Sequence, residues 1–416
     1  MTAHSIDANP RPAWRTRAWA IVGALSITET VSWGVLYYAF AAFLVPMQRD
    51  LGYSAAQLTG AFSLALGVSA VAGILVGRHL DRSSPRALMT AGSIAGTGLV
   101  VAWSQVDGLA AFYLLWLAIG AVMATVLYEP AFTVVAKHFP EPGERRRAMT
   151  SMTLVAALAS FIFLPLSQLL IDTYGWRDAL LVLAVILAAI TIPLHCLVLR
   201  PGPRVPEQVA ASTPAGDVFR SLPFWLLSGA FVLASLSTIA MTVFSIPFLL
   251  ERGHSAGFAA FAVGLIGVSQ IPGRVLFGPL HARLSRAMAT AAVFAFIALG
   301  ITVVVTVHST AAVLVGLVLL GMGNGMATLA RATAIADLYG AAAYGTIAAV
   351  AGGMTTAARA AGPFAAALYA AAVGFTALLW TLAALALAAA VLAYRAESST
   401  SRGTTTSSAS ARPRSG

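Results

Sequence analysis

The stretch ALMTAGSIAGTGLVVAWSQV, residues 87–106, decides the fold class. It has no charged side chain and lies between Arg86 and Asp107. About 20 apolar residues in a helix cross the hydrocarbon core of a bilayer, whereas strands of a membrane β-barrel alternate apolar and polar residues. Residues 87–106 do not alternate, so they predict a transmembrane helix.

Eleven other segments have the same character, and together they predict an all-α membrane protein with twelve transmembrane helices. The composition agrees, because hydrophobic residues make up 59% of the chain and charged residues only 10%. Soluble domains carry about 25% charged residues, so the predicted environment is a lipid bilayer. The predicted spans run approximately over 18–46, 54–77, 87–106, 109–136, 147–171, 177–199, 223–249, 256–280, 287–307, 309–337, 341–371 and 374–394.

A segment rich in proline and charge, residues 200–222, divides these spans into two groups of six. Residues 396–416, after the last span, are rich in Ser, Thr and Arg, a composition that cannot form a core and predicts disorder. The predicted organisation is a cytoplasmic N-terminal tail (1–17), an N-terminal six-helix bundle (18–199), a cytoplasmic linker (200–222), a C-terminal six-helix bundle (223–395) and a disordered cytoplasmic tail (396–416).

The distribution of basic residues predicts the orientation. Most of the 25 lysines and arginines fall on the side that holds both termini, and the loops on the other side hold only Arg49, Arg177 and Arg252. Cytoplasmic loops carry an excess of basic residues, so both termini are predicted in the cytoplasm. The net charge of +10 does not indicate nucleic-acid binding, because the basic residues are spread over short loops. Lys137 is the sole lysine, and this preference for arginine favours a GC-rich bacterium and its inner (plasma) membrane.

An internal repeat relates the two groups of spans. A parallel repeat predicts two similar, pseudo-symmetric bundles with a substrate path between them near the midplane. This arrangement favours a transporter that works by alternating access over a channel, which would usually assemble identical subunits around a pore. The pairs at an offset of 201 residues are Pro46 and Pro247, Asp50 and Glu251, Gly52 and Gly253, Ser54 and Ser255, Ala55 and Ala256, Gly77 and Gly278, and Arg82 and Arg283; Pro165 and Pro363 match at 198.

Five ionisable residues lie inside the predicted spans: Glu29, Glu129, Arg274, Arg331 and Arg359. A charge at the bilayer centre costs about 2.5–3.5 kcal/mol on insertion scales, so each should face protein or water. Each of the five is therefore a candidate functional residue.

Glu29 lies near the middle of the first span, on a polar and aromatic face with Ser26, Thr30, Trp33 and Tyr37. Such a face suits the wall of a cavity, and a carboxyl placed there could carry a proton. The alternative is a structural hydrogen bond to a neighbouring helix, because structural networks also bury carboxylates.

Arg274 lies in the eighth span, one helical turn after Gln270. A guanidinium can hold a carboxylate through two parallel hydrogen bonds, so Arg274 is the predicted partner of an anionic substrate. The alternative is that Arg274 extends to the cytoplasmic lipid headgroups, as long basic side chains near a span end can do.

The remaining three charges allow structural interpretations. Glu129 and Arg331 occupy similar depths in corresponding spans, so they could pair across the inward opening or could bond separately within each bundle. Arg359 precedes Gly362 and Pro363, where a structural role at a helix bend is the favoured interpretation.

The segment from Gly77 to Arg86, GRHLDRSSPR, resembles the G-x-x-x-D-R-x-x-x-R loop motif of the major facilitator superfamily, and it stands between the second and third spans, as in that family. The resemblance covers roughly residues 18–395. It implies a gating and structural role for Gly77, Asp81, Arg82 and Arg86, in which the acid and the arginines link the two bundles at the cytoplasmic face.

Two further segments loosely resemble the monocarboxylate-porter branch of that superfamily. Glu29, Trp33 and Gly34 are similar to its acid–x–x–W–G region, and Gln270 and Arg274 to its D-x-x-x-R segment. In that branch the arginine engages carboxylate and the aspartate takes part in proton coupling. Because glutamine replaces the aspartate here, the resemblance implies carboxylate binding by Arg274 and leaves Glu29 as the candidate for a proton.

The sequence therefore predicts a secondary active transporter for a small, monocarboxylate-like organic anion, with protons as a candidate coupling ion. The predicted substrate-binding residues are Arg274, Gln270, Trp33 and Tyr37. The alternative is a proton-driven exporter of drugs or metabolites, which apolar residues such as Phe161 would also suit. The sequence has no phosphate loop, metal cluster or catalytic triad, so an enzyme is not predicted. No cofactor is predicted, and the single cysteine excludes an internal disulfide.

Overall fold

The computed structural model describes residues 13–200, 214–340 and 343–409, and this part of the chain is almost entirely helical. Two short π-helical segments, Gly34–Tyr38 and Leu194–Val198, continue helices α1 and α8. The α-helices are α1 (Ala13–Trp33), α2 (Ala39–Leu51), α3 (Ala55–Arg82), α4 (Pro85–Ser104), α5 (Leu109–Val126), α6 (Tyr128–His138), α7 (Pro142–Ala156), α8 (Leu158–Pro193), α9 (Ala215–Arg220), α10 (Leu222–Glu251), α11 (Ala256–Arg283), α12 (Arg286–Thr306), α13 (Thr310–Tyr339), α14 (Tyr344–Val373) and α15 (Phe375–Ala409).

These helices account for the twelve predicted crossings. Ten described stretches are long and apolar enough to span a membrane. One of them, Pro142–Val198, contains two crossings, because the backbone leaves the helical conformation at Gly175 (φ 77°, ψ 165°). Helix α14 supplies the remaining crossing of the twelve. It is 30 residues long, and it is not among the ten stretches because Arg359 and the glycines and threonines of the helix lower its mean hydropathy. The chain is an integral membrane protein of the predicted all-α class.

Both ends of the described chain lie at one face of the molecule, which we call the terminal face. Arg15, close to the start of α1, pairs with Glu144 at the start of α7, and Glu397 near the end of the chain is held at the same face. Three ion pairs join the helices at this face: Arg15–Glu144 between α1 and α7, Arg145–Asp337 between α7 and α13, and Arg286–Glu397 between α12 and α15. An even number of crossings places both ends on the same side.

Residues of the internal repeat have the same structural roles in both halves. Gly52 (φ 72°) and Gly253 (φ 84°) follow α2 and α10 in a left-handed backbone conformation that disfavours side chains. Ser54 and Ser255 then cap the N-termini of α3 and α11 with their hydroxyl oxygens. The pairs at an offset of 201 residues therefore mark equivalent turns.

The predicted tail and linker are only partly described. Helix α15 continues past residue 395 to Ala409, because Ala396 and Glu397 are buried and Glu397 pairs with Arg286. The helix therefore extends beyond the predicted start of the disordered tail. Residues 1–12, 201–213 and 410–416 of the predicted tails and linker lie outside the described residues.

The two halves pack closely where α3 meets α14, with further contacts of α7 with α11 and α13. A Cβ atom at Gly77 of α3 would overlap the backbone carbonyl of Gly345 in α14. Glycine is therefore needed here for the approach of the two backbones.

We expect Gly77→Ala to open the terminal face, because the added methyl group forces α3 and α14 apart. Overpacking of this kind costs about 1–3 kcal/mol, which shifts a two-state equilibrium about five- to 150-fold. The measurement is the rate of maleimide labelling of a cysteine at buried Ala348, in a Cys196→Ser background. The control is Gly73→Ala on the same helix, where a Cβ would meet nothing within 4 Å. Equal labelling of the two variants would contradict the conclusion that glycine is needed at position 77 for the approach of α3 and α14.

Candidate functional site

Glu29 is fully buried in α1 and has an incomplete set of hydrogen bonds. Trp33 Nε1, one turn further along, donates to Glu29 Oε2 at 3.1 Å. Glu29 Oε1 is buried and has no hydrogen-bond partner among the described residues. A buried polar atom without a partner is costly, so this oxygen is a candidate for a proton or a ligand contact.

The π-helical segment Gly34–Tyr38 begins directly after Trp33. Single π-helical turns within α-helices occur frequently at functional sites. A Cβ atom at Gly34 would overlap the ring of Phe163, so glycine lets α8 approach α1 at this point. The change of helical pitch lets both tyrosines of the segment reach the ring of Trp33.

Four rings, Trp33, Tyr37, Tyr38 and Tyr128, form what we call the aromatic cluster. The ring centroid of Trp33 lies 5.0 Å from that of Tyr37, 6.3 Å from that of Tyr38 and 5.0 Å from that of Tyr128. All four side chains are partly exposed. Tyr128 is the first residue of α6, and it reaches the cluster because the fourth crossing is interrupted by the extended backbone of Leu127. The rings offer a surface to an apolar or planar body.

Arg274 lies beside this cluster and is 5% exposed. Its Nη1 atom donates to the backbone oxygen of Thr153 in α7 at 2.7 Å, and its buried Nε has no hydrogen-bond partner in the described ranges. The guanidinium also lies near the hydroxyl groups of Tyr38 and Tyr128. Arg274 therefore does not extend to lipid headgroups, and within the described part of the chain no carboxylate pairs with it.

Arg359 approaches the same cluster from α14. Its side chain is exposed and lies near the hydroxyl of Tyr38. We find no hydrogen bond or ion pair for it among the described residues. A role in holding a helix bend would require such contacts, so the geometry gives no support to the structural interpretation of Arg359.

Gln270 is placed differently from Arg274. Its backbone packs against Gly325 of α13, where a Cβ would meet the Gln270 Cα atom at 2.7 Å. Its side chain is half-buried and has no hydrogen bond that we find in the described ranges. The structure brings Arg274, Trp33, Tyr37 and Glu29 into one region, and within the described residues we find no hydrogen bond from Gln270 to any of them.

Glu129 and Arg331 form an ion pair between the halves. Arg331 Nη2 donates to Glu129 Oε1 at 2.5 Å. The pair lies against Gly352 of α14, where a Cβ would come within 2.7 Å of the Glu129 oxygen. Of the two arrangements that the sequence allowed, the structure has the pair that joins the bundles.

Asp81 joins the halves at the terminal face. Its carboxylate accepts hydrogen bonds from the backbone N–H groups of Gly345 (2.8 Å) and Thr346 (2.9 Å) and from the Thr346 hydroxyl (2.6 Å). These N–H groups belong to the first turn of α14, whose positive end attracts a carboxylate. Arg145, which is buried, adds an ion pair with Asp337 across the same boundary.

The two arginines of the loop motif do not link the halves, contrary to the expectation from the resemblance. Arg86 directs its Nη2 atom towards Cys196 Sγ of its own half, at 3.8 Å. The reason is that α4 packs against α8 and the segment Leu194–Val198 rather than against α14. Arg82 is exposed, and we find no ion pair for it in the described ranges.

At the opposite face, the polar contacts that we find connect helices within one half. Arg177 binds Asp50 at 3.2 Å and Asp107 at 2.5 Å, all in the first half. Arg252 donates to the backbone oxygen of Val304 at 3.0 Å in the second half. The halves are thus held together at the terminal face.

Comparison with known proteins agrees with this integral membrane architecture. The family model of the Major Facilitator Superfamily matches residues 25–363, so the chain belongs to this superfamily. A solved structure titled as a Major Facilitator Superfamily transporter, FucP, in the outward conformation superposes with a TM-score of 0.70 over 90% of this chain and 98% of that one, at 16% identity. The fold is therefore shared.

Two relatives are similar in sequence. Monocarboxylate transporter 12 of Homo sapiens is 26% identical over 302 residues, which cover 64% of this chain and 57% of that protein. An MFS-type efflux pump of Mycolicibacterium smegmatis is 28% identical over 295 residues, which cover 68% of this chain and 66% of the pump. In both cases the match spans less than two thirds of the relative.

Four residues with contacts in this region were not predicted from the sequence: Tyr38, Tyr128, Thr153 and Asp337. Tyr38 lies outside the regular helical face of Glu29, and only the π-helical segment brings it to the cluster. Tyr128 precedes Glu129, and this proximity to a membrane acid was a usable signal. The partnership of Thr153 is through its backbone oxygen, which no sequence pattern marks.

Proposed function

We propose that this protein is a secondary active transporter of small organic anions that works by alternating access. The observation that carries the proposal is the buried guanidinium of Arg274, which lies between the halves against the Thr153 backbone with an unpartnered Nε and with no carboxylate partner among the described residues. Ionisable residues inside a membrane protein mark substrate or ion pathways. A carboxylate between the halves would supply the missing counter-charge.

The neighbouring side chains suit such a ligand. The Nε atom of Arg274 is free to donate, and a guanidinium holds a carboxylate best through two parallel hydrogen bonds. Trp33 and Tyr37 would contact the body of the substrate through their ring faces. We assign substrate contacts to Arg274, Arg359, Trp33 and Tyr37, and leave out Gln270.

The contacts between the halves support a closed gate at the terminal face. Opening that face requires the ion pairs of Glu129 with Arg331 and of Arg145 with Asp337 to break, together with the hydrogen bonds of Asp81. The positive-inside rule places this face in the cytoplasm. On that orientation the conformation is outward-facing. The proposed location is the inner membrane of a bacterium, which the preference for arginine over lysine favours.

Glu29 is the proposed proton carrier. Its Oε1 atom has no hydrogen-bond partner among the described residues, and its Oε2 atom accepts a hydrogen bond from Trp33 of the aromatic cluster. Binding of a proton at Glu29 and of an anion at Arg274 would therefore act on the same group of rings. This arrangement supports coupling of anion and proton movement.

Uptake by purified protein in proteoliposomes tests the proposal. A panel of labelled acetate, lactate, pyruvate, oxalate and benzoate would be offered with and without an imposed pH gradient. We expect at least one carboxylate to accumulate and the gradient to increase its uptake. A panel of neutral sugars is the control. Transport of the sugars but of no carboxylate would contradict the proposal.

The similarity to an efflux pump supports one other candidate, a proton-driven exporter of hydrophobic compounds. The same rings and Glu29 would then contact the drug and the proton, and Arg274 would be dispensable. Cells that lack the protein would become sensitive to hydrophobic toxins, and a plasmid carrying Arg274→Gln would restore their resistance.

A further inference from the structure

The two halves bind different acceptors at the starts of α4 and α12 on the terminal face. In the second half Glu397 is almost fully buried, and its Oε2 atom accepts from Arg286 Nε at 3.0 Å. The same carboxylate lies beside the hydroxyl of Thr290, one turn after Arg286 on α12. A cation and a hydroxyl at the start of α12 therefore bind a carboxylate at the end of α15.

The first half keeps the cation and the hydroxyl but has no carboxylate in that place. Arg86 and Thr90 lie one turn apart at the start of α4 and precede Arg286 and Thr290 by 200 residues. Cys196 lies near the end of the last crossing of the first half, as Glu397 lies near the end of the last crossing of the second, and it is 3.8 Å from Arg86 Nη2. A thiol is a weak acceptor compared with a carboxylate.

The polar atoms at this place are poorly satisfied. Thr90 Oγ1 is buried and has no hydrogen-bond partner in the described part of the chain. Arg86 is exposed, and no acidic residue pairs with it there. Both residues line a cavity of about 370 Å³, together with Ser84, Ala87 and Cys196.

The cavity opens to the outer surface of the helices. Below Arg86, an exposed stripe of small or apolar residues runs along α4 into the membrane: Ala87, Ala91, Ile94, Ala95, Gly98 and Val101. Ile94 is 56% exposed and Val101 41% exposed. A ligand that fits has an anionic head at Arg86 and hydrocarbon chains along this stripe.

We propose that Arg86 and Thr90 bind the phosphate of an anionic phospholipid, whose acyl chains lie along α4. The headgroup takes the position that Glu397 occupies in the second half. Arg86 donates charge-assisted hydrogen bonds to the phosphate oxygens, and the Thr90 hydroxyl donates a further one. The site is separate from the aromatic cluster and does not depend on the proposed transport activity.

Native mass spectrometry of the full-length protein with added phosphatidylglycerol tests this site. We expect Arg86→Gln to bind the lipid about tenfold more weakly than the unaltered protein, because it loses a charge-assisted contact. Arg78→Gln, which removes an exposed charge from α3 at the same face, is the matched control and should bind normally. Equal affinities of Arg86→Gln and Arg78→Gln would overturn the proposal.

Cys196→Glu provides a second, independent test. The new carboxylate should bind Arg86 and Thr90 as Glu397 binds their counterparts, and so should displace the lipid, whereas Cys196→Gln should retain it. Retention by Cys196→Glu would overturn the proposal.

Two competitors separate the sources of the anion. Excess inorganic phosphate should not displace the lipid, since it lacks acyl chains, and phosphatidylcholine should bind more weakly than phosphatidylglycerol. Displacement by phosphate would indicate a site for free anions instead. Equal retention of the two lipids would overturn the assignment to an anionic headgroup.

Discussion

Arg274→Gln is expected to reduce carboxylate uptake strongly. The substitution removes the charge and the fork of donors and leaves a shorter, neutral polar side chain. Charge-assisted hydrogen bonds contribute about 1.5–3 kcal/mol, so the loss corresponds to a fall of about ten- to a hundredfold in affinity. The measurement is the initial rate of uptake of the best substrate in proteoliposomes.

Two variants sharpen the interpretation of that result. Arg274→Lys keeps the charge but not the planar fork, so it should retain part of the activity. Arg283→Gln removes an exposed charge near the end of the same helix and should leave uptake unchanged. Full uptake by Arg274→Gln would eliminate its role in anion binding and would favour the exporter.

Glu29→Gln is expected to separate proton coupling from substrate binding. The amide oxygen of glutamine can still accept the hydrogen bond from Trp33, so the aromatic cluster should keep its geometry. The amide group of glutamine cannot bind and release a proton at the pH values of a transport experiment. We therefore expect uptake driven by a pH gradient to fall to the level seen without the gradient, while exchange of labelled for unlabelled substrate continues.

The control for this second prediction is Glu251→Gln, which neutralises an exposed acid at the end of α10. It should respond to the gradient as the unaltered protein does. If Glu29→Gln kept the full response to the pH gradient, Glu29 would not be the proton carrier. If it lost exchange as well, Glu29 would be needed for binding or folding rather than for coupling.

The sequence predicted the fold because the bilayer restricts spanning segments to uninterrupted apolar helices. Residues 87–106 and α4 (Pro85–Ser104) coincide almost completely. The breaks within crossings were not predictable in this way. Leu127 is an ordinary apolar residue, and its departure from the helical conformation (φ −94°, ψ −164°) depends on packing with neighbouring helices.

The candidate site was predictable only in part. Membrane charges identified Arg274, Glu129 and Arg331, because each carries a large cost of burial in lipid. Their partners depend on how the two halves meet, which hydropathy does not encode. The contact of Arg274 with the Thr153 backbone and the exposure of Arg359 required the three-dimensional structure.

The central claim is that the halves move relative to each other around the site between them. Paired spin labels measure this movement, with Cys196→Ser as the background. One pair, at Arg49 and Glu251, reports the face opposite the terminal face; the other, at Ser83 and Arg283, reports the terminal face, and all four positions are exposed. We predict that on changing pH or adding substrate one distance lengthens as the other shortens. Distances that stay fixed, or that lengthen together, would contradict alternating access.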